Sequence, residues 1–318
     1  MTEGGDARAM SADARRPRVG LVGTPELVTF PRYAESLERR GAEVVQIDPM
    51  DLVARVEGTQ LSAFLPPANV DGLDGFFAPV AGSASVVMLA AIRQLEALGL
   101  PTLNRTEPRF LARDKWATAE ALARAGIPQP LTFFVGGSPL ARPARERIAS
   151  ELGFPLVVKG RLGTLGAEVR LARDADELER IVEALHVHID DGVLLQEFFA
   201  EAGARDFRVI VLDGEVIAVK ARWSGRDDEF RAAMPGYVAT IGEITDEEAA
   251  VSLAAAHAIG LDLAGIDLMR TRHGPRIIEV NGHPFLATTE RVTGVDIAGA
   301  VAEALLRRIG ERRQAERS

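Results

Sequence analysis

The sequence predicts a mixed α/β fold, with a small parallel sheet near the N-terminus and an α+β region after it. From residue 18, short apolar runs alternate with a helix-periodic segment, which is typical of a βαβ unit with parallel strands. Farther along, Asp213-Gly214 separates two apolar runs, and Gly274-Pro275 separates two more. A glycine-containing turn between apolar runs predicts an antiparallel hairpin. The chain is therefore expected to pair its strands first in parallel and then antiparallel.

The N-terminal elements follow from hydrophobic periodicity and from helix stop signals. The predicted strands cover residues 19–22, 43–47 and 75–78, and the predicted helices cover residues 33–40, 86–98 and 112–124. Residues 57–73 show no regular period and predict a loop. The first 17 residues are rich in Ala, Gly, Arg and Asp and lack the apolar stretch of a signal peptide, so we expect a disordered leader.

The later elements divide the rest of the chain. Residues 131–199 are predicted to form a strand, a helix, a strand, a glycine turn, a strand, a helix and a strand. The first hairpin begins at residue 206. We therefore expect four segments, namely the leader at 1–17, an N-terminal α/β domain at 18–105, a central subdomain at 106–200 and a C-terminal subdomain at 201–318.

The composition is that of an ordinary soluble enzyme. With 318 residues, of which 47% are hydrophobic, the chain can bury a sizeable core in two or three domains. No apolar run approaches the roughly 20 residues of a membrane span. The absence of cysteine excludes disulfides, thiolate zinc sites and cysteine catalysis, and a net charge of −9 without a basic block argues against nucleic acid. We expect a cytoplasmic homo-oligomer that binds neither membrane nor nucleic acid.

Three polar residues interrupt the last pair of apolar runs. Asp267 lies in the first run, and Glu279 and Asn281 lie two residues apart in the second, so a strand points both to one face. The flanking Ile, Leu and Val residues indicate that these strands are buried. Oxygen ligands that converge from adjacent strands suit Mg²⁺, which takes carboxylates together with phosphate oxygens. The alternative is the solvated face of a two-stranded ribbon.

The basic residues give a second indication of function. Lys and Arg together number 37, and all are Arg except Lys115, Lys159 and Lys220. In so Arg-rich a chain, a lysine indicates a position that requires a compact point charge. Lys159 ends a predicted strand directly before the glycine-rich segment 160–166, whose backbone N–H groups can approach phosphate oxygens. This pattern favours phosphate binding, and a simple tight turn is the alternative.

In their order and spacing, these motifs resemble those of the ATP-grasp carboxylate–amine ligases, and within that superfamily those of the RimK-type glutamate ligases. The motifs that carry the resemblance are Leu103-Asn104, Ala112-Arg113-Asp114-Lys115, Pro155-Leu156-Val157-Val158-Lys159, Gly163-Thr164-Leu165-Gly166, Gln196-Glu197-Phe198, Asp206-Phe207-Arg208, Glu229-Phe230-Arg231, Ala264-Gly265-Ile266-Asp267, Glu279-Val280-Asn281 and Thr293-Gly294-Val295-Asp296-Ile297-Ala298. The resemblance covers residues 18–308 and implies an ATP-grasp fold with a small N-terminal pre-ATP-grasp domain.

The resemblance also implies roles for individual residues. The implied nucleotide-binding residues are Lys115, Lys159, Gly163, Thr164, Gly166, Gln196, Glu197, Phe198, Phe199 and Asp206. Of these, the lysines and the glycine turn would contact the phosphates, residues 196–199 the adenine, and Glu197 and Asp206 the amino group or the ribose hydroxyls. For Glu197 an exposed strand end, and for Asp206 a cap, remain the alternatives.

The same resemblance implies the reacting centre. Arg208 and Arg231 would neutralise the transferring phosphate or bind a substrate carboxylate, although an Arg that alternates with Phe can equally form the polar face of a strand. The implied metal ligands are Asp267, Glu279 and Asn281. For Lys220 the alternation of its strand favours a structural or peripheral role.

The implied reaction joins a carboxylate to an amine. ATP phosphorylates the carboxylate to an acyl phosphate, and the amine then displaces inorganic phosphate to form the amide. The implied cofactors are ATP and Mg²⁺, with Mn²⁺ as an alternative metal. Amino acids or peptides are the implied substrates, with glutamate first among them and a protein tail as a further acceptor.

Departures from the family pattern bear on the substrate. Ala232 and Ala233 stand where a small polar residue and Asn are usual, and His283 and Phe285 stand where small residues are usual. A ligase of natural-product or dipeptide biosynthesis is therefore an alternative. A non-catalytic ATP-binding regulator is disfavoured by the complete set of metal ligands. An NAD(P)-binding oxidoreductase is disfavoured because the turn at residues 20–24 lacks the third glycine of a dinucleotide fingerprint.

Overall fold

The N-terminal region is built around a parallel sheet. The computed structural model describes residues 15–23, 29–66, 68–70, 72–79, 86–136, 141–162, 169–188, 192–202, 205–223 and 238–318. The first elements are β1 (Arg18–Val22), α1 (Phe30–Arg39), β2 (Glu43–Ile47), β3 (Val53–Glu57), β4 (Gln60–Leu65), β5 (Ala68–Asn69), β6 (Gly75–Phe77) and α2 (Val86–Ala97). Strands β2, β1 and β6 pair in parallel in that order, which confirms the predicted parallel sheet.

The predicted loop at residues 57–73 is wrong. Strands β3 and β4 form an antiparallel hairpin around Gly58, which has a φ of +58°, and β5 adds a third strand. Most large apolar side chains of this hairpin are exposed, with 42% of Val53, 70% of Val56 and 38% of Phe64 open to solvent, although Ala63 is buried. Strands whose large apolar residues are mostly exposed lack the apolar–polar alternation from which a strand is predicted.

The predicted helix at residues 112–124 is two helices. They are α3 (Thr106–Arg113) and α4 (Lys115–Arg124), and they meet at Asp114, whose backbone is extended. The Asp114 carboxylate accepts hydrogen bonds of 3.0 and 3.1 Å from backbone N–H groups in the first turn of α4, which makes it the N-cap. As a consequence, Lys115 is the first residue of a new helix.

The central region has its own sheet and its own core. Its elements are β7 (Thr132–Val135), α5 (Arg142–Leu152), β8 (Leu156–Gly160), β9 (Arg170–Ala172), α6 (Ala175–His188) and β10 (Val193–Glu197). The strands pair antiparallel in the order β7-β10-β8-β9. The sequence predicts these elements in the same chain order. Leu156, Val158, Leu178 and Leu195 belong to a buried cluster on this sheet that is separate from the other cores.

The C-terminal region contains a five-stranded antiparallel sheet. Its elements are β11 (Arg205–Leu212), β12 (Glu215–Trp223), β13 (Val238–Ile241), α7 (Asp246–Ile259), β14 (Leu263–Thr271), β15 (Gly274–Asn281), α8 (Leu286–Thr293) and α9 (Ile297–Ala315). The strand order is β13-β12-β11-β14-β15. Helix α7 covers one face of this sheet through contacts with the cluster that includes Val209, Ile266 and Val280. Asp267 and Glu279, which alternate with Ile266 and Val280 along their strands, lie on the other face.

Both predicted hairpins are present, but one turn is displaced. Asp213 and Gly214 connect β11 to β12 with φ angles of +48° and +80°, as a two-residue hairpin turn requires. Gly274 pairs with Thr271, so the second turn lies at residues 272–273 and not at Gly274-Pro275, which begin β15.

The N-terminal sheet shares a core with the C-terminal region. Val19, Leu21 and Leu37 belong to one buried cluster with Val301 and Leu305 of α9. The chain thus packs its last helix against its first strand and helix.

Asn104 links the N-terminal region to the C-terminal sheet. It is fully buried with a φ of +58°, and its Oδ1 accepts hydrogen bonds of 2.8 Å from the backbone N–H groups of Asp262 and Leu263. Its Nδ2 donates to the carbonyls of Leu263 and Gly282. Because Gly282 follows Asn281 directly, Asn104 also fixes the end of the strand that carries two predicted metal ligands.

We expect Asn104→Ala to lower the free energy of unfolding by about 3 kcal/mol, since several buried backbone groups lose their partner. Urea unfolding followed by circular dichroism measures the change. Asn104→Gly is the control, because it accepts the positive φ but also lacks the hydrogen bonds. Recovery of wild-type stability in Asn104→Gly would show that backbone strain, and not the hydrogen bonds, determines the effect.

Candidate active site

Four charged side chains lie side by side across the C-terminal sheet. Glu279 on β15 lies opposite Asp267 on β14. Asp267 also lies opposite Arg208 on β11, which in turn lies opposite Lys220 on β12. Directly opposed residues of antiparallel strands point to the same face. We call these four residues the charged row. It consists of two carboxylates followed by two cations, all on the face of the sheet that α7 does not cover.

Asp267 is the more buried of the two carboxylates in the charged row, with 5% of its surface exposed. Arg208 donates from Nε to Oδ1 at 2.6 Å and from Nη2 to Oδ2 at 2.5 Å, and Nη2 of Arg222 lies 3.0 Å from Oδ2. Burial acts to raise the pKa of Asp267, but the guanidinium groups of Arg208 and Arg222 outweigh it and hold that pKa at about 2. Asp267 is therefore ionised at neutral pH.

A second buried ion pair lies beside the charged row. Arg222 donates from Nε and Nη2 to the two carboxylate oxygens of Asp206 at 2.6 and 2.5 Å, and the two residues are 7% and 3% exposed. Burial raises the pKa of Asp206, and Arg222 opposes that shift. Because Asp206 lies within β11 and not at a helix end, the alternative reading of it as a cap is wrong. Its predicted contact with the nucleotide stays a prediction.

Sequence reasoning missed Arg222. Its position two residues after Lys220 on an alternating strand was the available signal, but the partner Asp206 becomes apparent only from the β11–β12 register. The same register shows that Lys220 is not peripheral, and the other expectation for it, a structural role, stays a prediction. Lys220 is 2% exposed and lies opposite Arg208.

The three predicted metal ligands offer oxygen donors on adjacent strands. Nδ2 of Asn281 donates to the Gly265 carbonyl at 3.4 Å, which leaves its Oδ1 as an acceptor, and Glu279 is partly exposed. Over the part of the chain that the structure describes, no group of three or more His, Cys, Asp or Glu residues could hold a metal. Two carboxylates and one amide nevertheless suit Mg²⁺, which is usually held by one or two carboxylates, phosphate oxygens and water. The assignment of these ligands stays a prediction.

The two predicted phosphate-binding lysines face one pocket between the central and C-terminal sheets. The pocket is lined by Ala112, Lys115, Thr118, Ala119, Leu122, Gln129, Lys159, Leu194, Gln196, Ile278, Glu279 and Val280. Nζ of Lys115 lies 4.0 Å from Oε1 of Glu279, and Nζ of Lys159 donates to Oε1 of Gln196 at 2.9 Å. The pocket thus combines two ammonium groups with apolar walls and opens next to the charged row.

Lys159 is a buried cation, with 6% of its surface exposed. The pKa of Lys159 is lowered to about 8, mainly by burial, with Glu279 and Asp267 opposing the shift and Lys115 adding to it. An ammonium group that is costly to bury gains more from an anionic ligand than a solvated one does.

The predicted adenine-binding segment, residues 196–199, leaves β10 at the edge of this pocket. The backbone N–H of Glu197 donates to the Leu131 carbonyl at 2.9 Å, and Oε2 of Glu197 accepts from the Leu131 N–H at 3.3 Å. Glu197 is therefore tied to the chain before β7. Phe199 is buried and Phe198 is half-buried. The predicted residues Gly163, Thr164, Gly166 and Arg231 lie outside the described residues.

His283, two residues after Asn281, is buried and not a surface residue. Its ring packs against Tyr33 and Phe77, with centroids 5.8 and 6.1 Å away. Among the described residues, neither ring nitrogen has a hydrogen-bond partner, and the Tyr33 hydroxyl also has none. Burial lowers the pKa of His283 to about 3, and Arg109 contributes to the shift, so the ring is neutral. The sequence marked this position as a departure from the family without revealing its burial.

Comparisons with known proteins identify the family of this chain. Residues 112–305 match the RimK-like ATP-grasp domain family. The chain is 35% identical over 277 residues to the "Probable alpha-L-glutamate ligase" of Enterobacter sp. (strain 638), which covers 86% of this chain and 90% of the relative. It is 32% identical over 299 residues to the "Probable alpha-L-glutamate ligase 1" of Hahella chejuensis, with 94% and 97% covered. The chain belongs to the RimK-like ATP-grasp family.

A likeness in fold extends to solved structures. The ATP-grasp ligase PsnB, in complex with a phosphomimetic variant of its minimal precursor, Mg and ADP, superposes with a TM-score of 0.71. The match covers 92% of this chain and 98% of that chain at 21% identity. The predicted fold class and the predicted class of enzyme, an ATP-dependent ligase that forms amide bonds, are confirmed.

The burial of Lys159 predicts a pH dependence of ATP use. Its ammonium group is charged below a pKa of about 8 and neutral above it, so kcat/KM for ATP should fall as the pH rises through that value. Initial rates between neutral and alkaline pH measure this alkaline limb. In Lys159→Arg the limb should move to higher pH, because a guanidinium group stays protonated. An unchanged limb in Lys159→Arg would assign the titration to another group.

Proposed function

We propose that this protein uses ATP and Mg²⁺ to join an amino acid, with glutamate the first candidate, to the carboxylate of a peptide or small acceptor. A protein tail is a further acceptor of the same chemistry. The observation that carries the proposal is the charged row, which sets two carboxylates beside the lysine pocket and two cations on the far side. The names of the relatives support glutamate as the amino acid.

The lysine pocket and the predicted metal ligands each have a task in such a reaction. A carboxylate reacts with an amine only after activation, which the γ-phosphate of ATP provides by forming an acyl phosphate. Lys115 and Lys159 would hold the nucleotide phosphates, and Asp267, Glu279 and Asn281 would hold Mg²⁺, which would supply positive charge against the phosphates. These residues position the reactants and balance charge, so no nucleophilic side chain is needed.

Arg208 lies between the metal ligands and the acceptor side of the row. Both of its hydrogen bonds to Asp267 keep the guanidinium group fixed before a substrate arrives. A fixed positive charge at this point stabilises the carboxylate of the acceptor. It also stabilises the phosphate that is displaced when the amine attacks. Arg231 has the same task in the proposal, on the strength of the family resemblance alone.

A second candidate function is a ligase that builds a small peptide product. It is favoured by His283, whose bulk occupies a position where the family usually has a small residue. The ring of His283 packs against Tyr33 and Phe77, so this departure lies where the end of β15 meets the N-terminal sheet.

The setting of the enzyme is part of the proposal. None of the helices in the described residues has both the length and the apolarity to cross a membrane. From the sequence, we infer that the enzyme is cytoplasmic and homo-oligomeric and that it also accepts Mn²⁺.

A phosphate-release screen with ATP, Mg²⁺ and pairs of amino acids and short peptides tests the proposal. Glutamate together with a carboxylate acceptor should stimulate release of phosphate and yield ADP and an amide detectable by mass spectrometry. If only small amino-acid pairs react, the second candidate is favoured. If no amino acid or peptide stimulates phosphate release, the ligase proposal is overturned.

Replacement of Glu279 by Gln tests the metal assignment. The change keeps the shape but removes a negative charge, and we expect kcat to fall by about a hundredfold. Stabilisation of the protein by Mg²⁺-ATP, measured as a shift in Tm, should also shrink, while Tm without nucleotide stays close to wild type.

The matched control for that variant is Glu215→Gln, at the exposed start of β12. It should change neither turnover nor the Tm shift. Wild-type turnover and a wild-type Tm shift in Glu279→Gln would remove Glu279 from the site.

A further inference from the structure

We propose that Lys220 binds a carboxylate group of the substrate and so determines which substrate the enzyme accepts. This inference rests on the proposed function, because it assigns a substrate-binding role within the same site. Lys220 is not among the site residues that the resemblance implies, nor does it line the lysine pocket.

Lys220 is a buried cation without a carboxylate partner. Its surface is 2% exposed, and its Nζ donates to Oγ1 of Thr288 at 2.8 Å. Among the residues that the structure describes, no carboxylate lies within ion-pair distance of its ammonium group. A hydroxyl group satisfies one of the three donors but does not compensate the charge, and buried charges without a partner are costly.

The charges around Lys220 leave a positive excess. Arg208 and Arg222 lie near it, and so do Asp206 and Asp267. The two carboxylates are already engaged by the two guanidinium groups through hydrogen bonds of 2.5 to 2.6 Å. Among the described residues, three cations therefore share two anions. Within this part of the chain, the ammonium group of Lys220 is the one whose charge no carboxylate contacts, and an anionic ligand would complete the group.

Lys220 meets the first turn of helix α8 at Thr288. Thr288 is half-buried, and Phe285 and Ala287, which flank the start of that helix, are exposed. The N-cap residue Phe285 provides no side-chain hydrogen bond to the first turn. The start of a helix carries a partial positive charge, so it adds to the excess charge of Lys220 and does not oppose it.

The position of Lys220 favours a substrate carboxylate over a nucleotide phosphate. In the charged row, Glu279 borders the lysine pocket at one end, and Lys220 lies at the other end, beyond Asp267 and Arg208. The nucleotide phosphates have Lys115 and Lys159 on the near side. A carboxylate on the far side is either the acceptor carboxylate or a carboxylate of the incoming amino acid, and kinetics can distinguish these two sources.

A purely structural role is the competing explanation. In that case the bond between Lys220 and Thr288 would serve only to hold α8 against β12. The two explanations predict opposite effects on stability. If Lys220 awaits an anion, its removal relieves a buried charge and raises Tm in the absence of substrate. If it only holds the helix, its removal lowers Tm.

The test compares Lys220→Met with Lys220→Arg in the full-length protein. Met fills a similar volume without the charge, and Arg keeps the charge as the matched control. We expect Lys220→Met to raise KM for one carboxylate substrate by about tenfold or more, with KM for ATP close to wild type. Lys220→Arg should retain most of the wild-type affinity. Thr288→Val, which removes only the hydroxyl partner, should have a smaller effect than Lys220→Met.

Two arms identify the bound carboxylate. In one, KM is measured for glutamate and for glutamine as the amine donor at saturating acceptor, and Lys220→Met should reduce the preference for glutamate if its side chain is bound. In the other, KM is measured for the acceptor and Ki for its C-terminal amide as an inhibitor, and Lys220→Met should raise KM but not Ki if the acceptor carboxylate is bound. A change confined to KM for ATP would overturn the proposal, as would unchanged KM values together with a lower Tm.

Direct binding separates this inference from the proposed function. Thermal shifts of the wild type and of Lys220→Met are measured with glutamate and with the acceptor, in the presence of Mg²⁺ and ADP. One outcome is that the wild type forms no amide, while a carboxylate ligand raises Tm of the wild type but not of Lys220→Met. In that case the proposed reaction fails and the binding role stands. If the wild type forms the amide and Lys220→Met behaves in the same way, the binding role fails and the reaction stands.

Discussion

The buried ion pairs between β11, β12 and β14 are the constraint on which the active site depends. Arg208 and Arg222 both bond Asp267, and Arg222 also bonds Asp206, so removal of one partner leaves a buried charge uncompensated. Such a loss typically costs about 3–5 kcal/mol. These bonds exist only in one strand register, because a shift by one residue would turn every side chain to the other face. The same contacts thus fix the sheet and orient Asp267, the proposed metal ligand.

In the proposed reaction, this arrangement places the nucleotide and the carboxylate substrate on opposite sides of Asp267. The carboxylates of the charged row lie next to the lysine pocket, and its cations lie on the far side. Cations on both sides of Asp267 favour two anionic reactants that approach each other across it. Electrostatic repulsion between a nucleotide and a carboxylate substrate is a main obstacle to this chemistry, and fixed charges on a rigid sheet reduce it without reorganisation.

Sequence patterns predicted what depends on local chemistry. Asp213-Gly214 specifies its turn by itself, and the spacing of Glu279 and Asn281 places both on one face whatever their neighbours are. The hairpin at residues 53–69 could not be predicted, because its exposed side chains give no burial period. The partners of Lys220 and Arg222 depend on the alignment of separate strands, which composition and periodicity do not encode. Asp is a common N-cap residue, so Asp114 could have been identified as the start of a helix. It was missed because the helical pattern continues on both sides of it.

The core shared by β1, α1 and α9 has a consequence for the synthesis of the chain. Val19 and Leu37 pack in the same cluster as Leu305 and Ile309, and Arg40 reaches Glu303 at 2.8 Å. A ribosome releases the first of these residues long before the last. The N-terminal sheet must therefore wait, with apolar surface uncovered, until α9 has emerged. The central region, with its separate core, is free of that delay and can complete its packing while the first strands are still without their final helix.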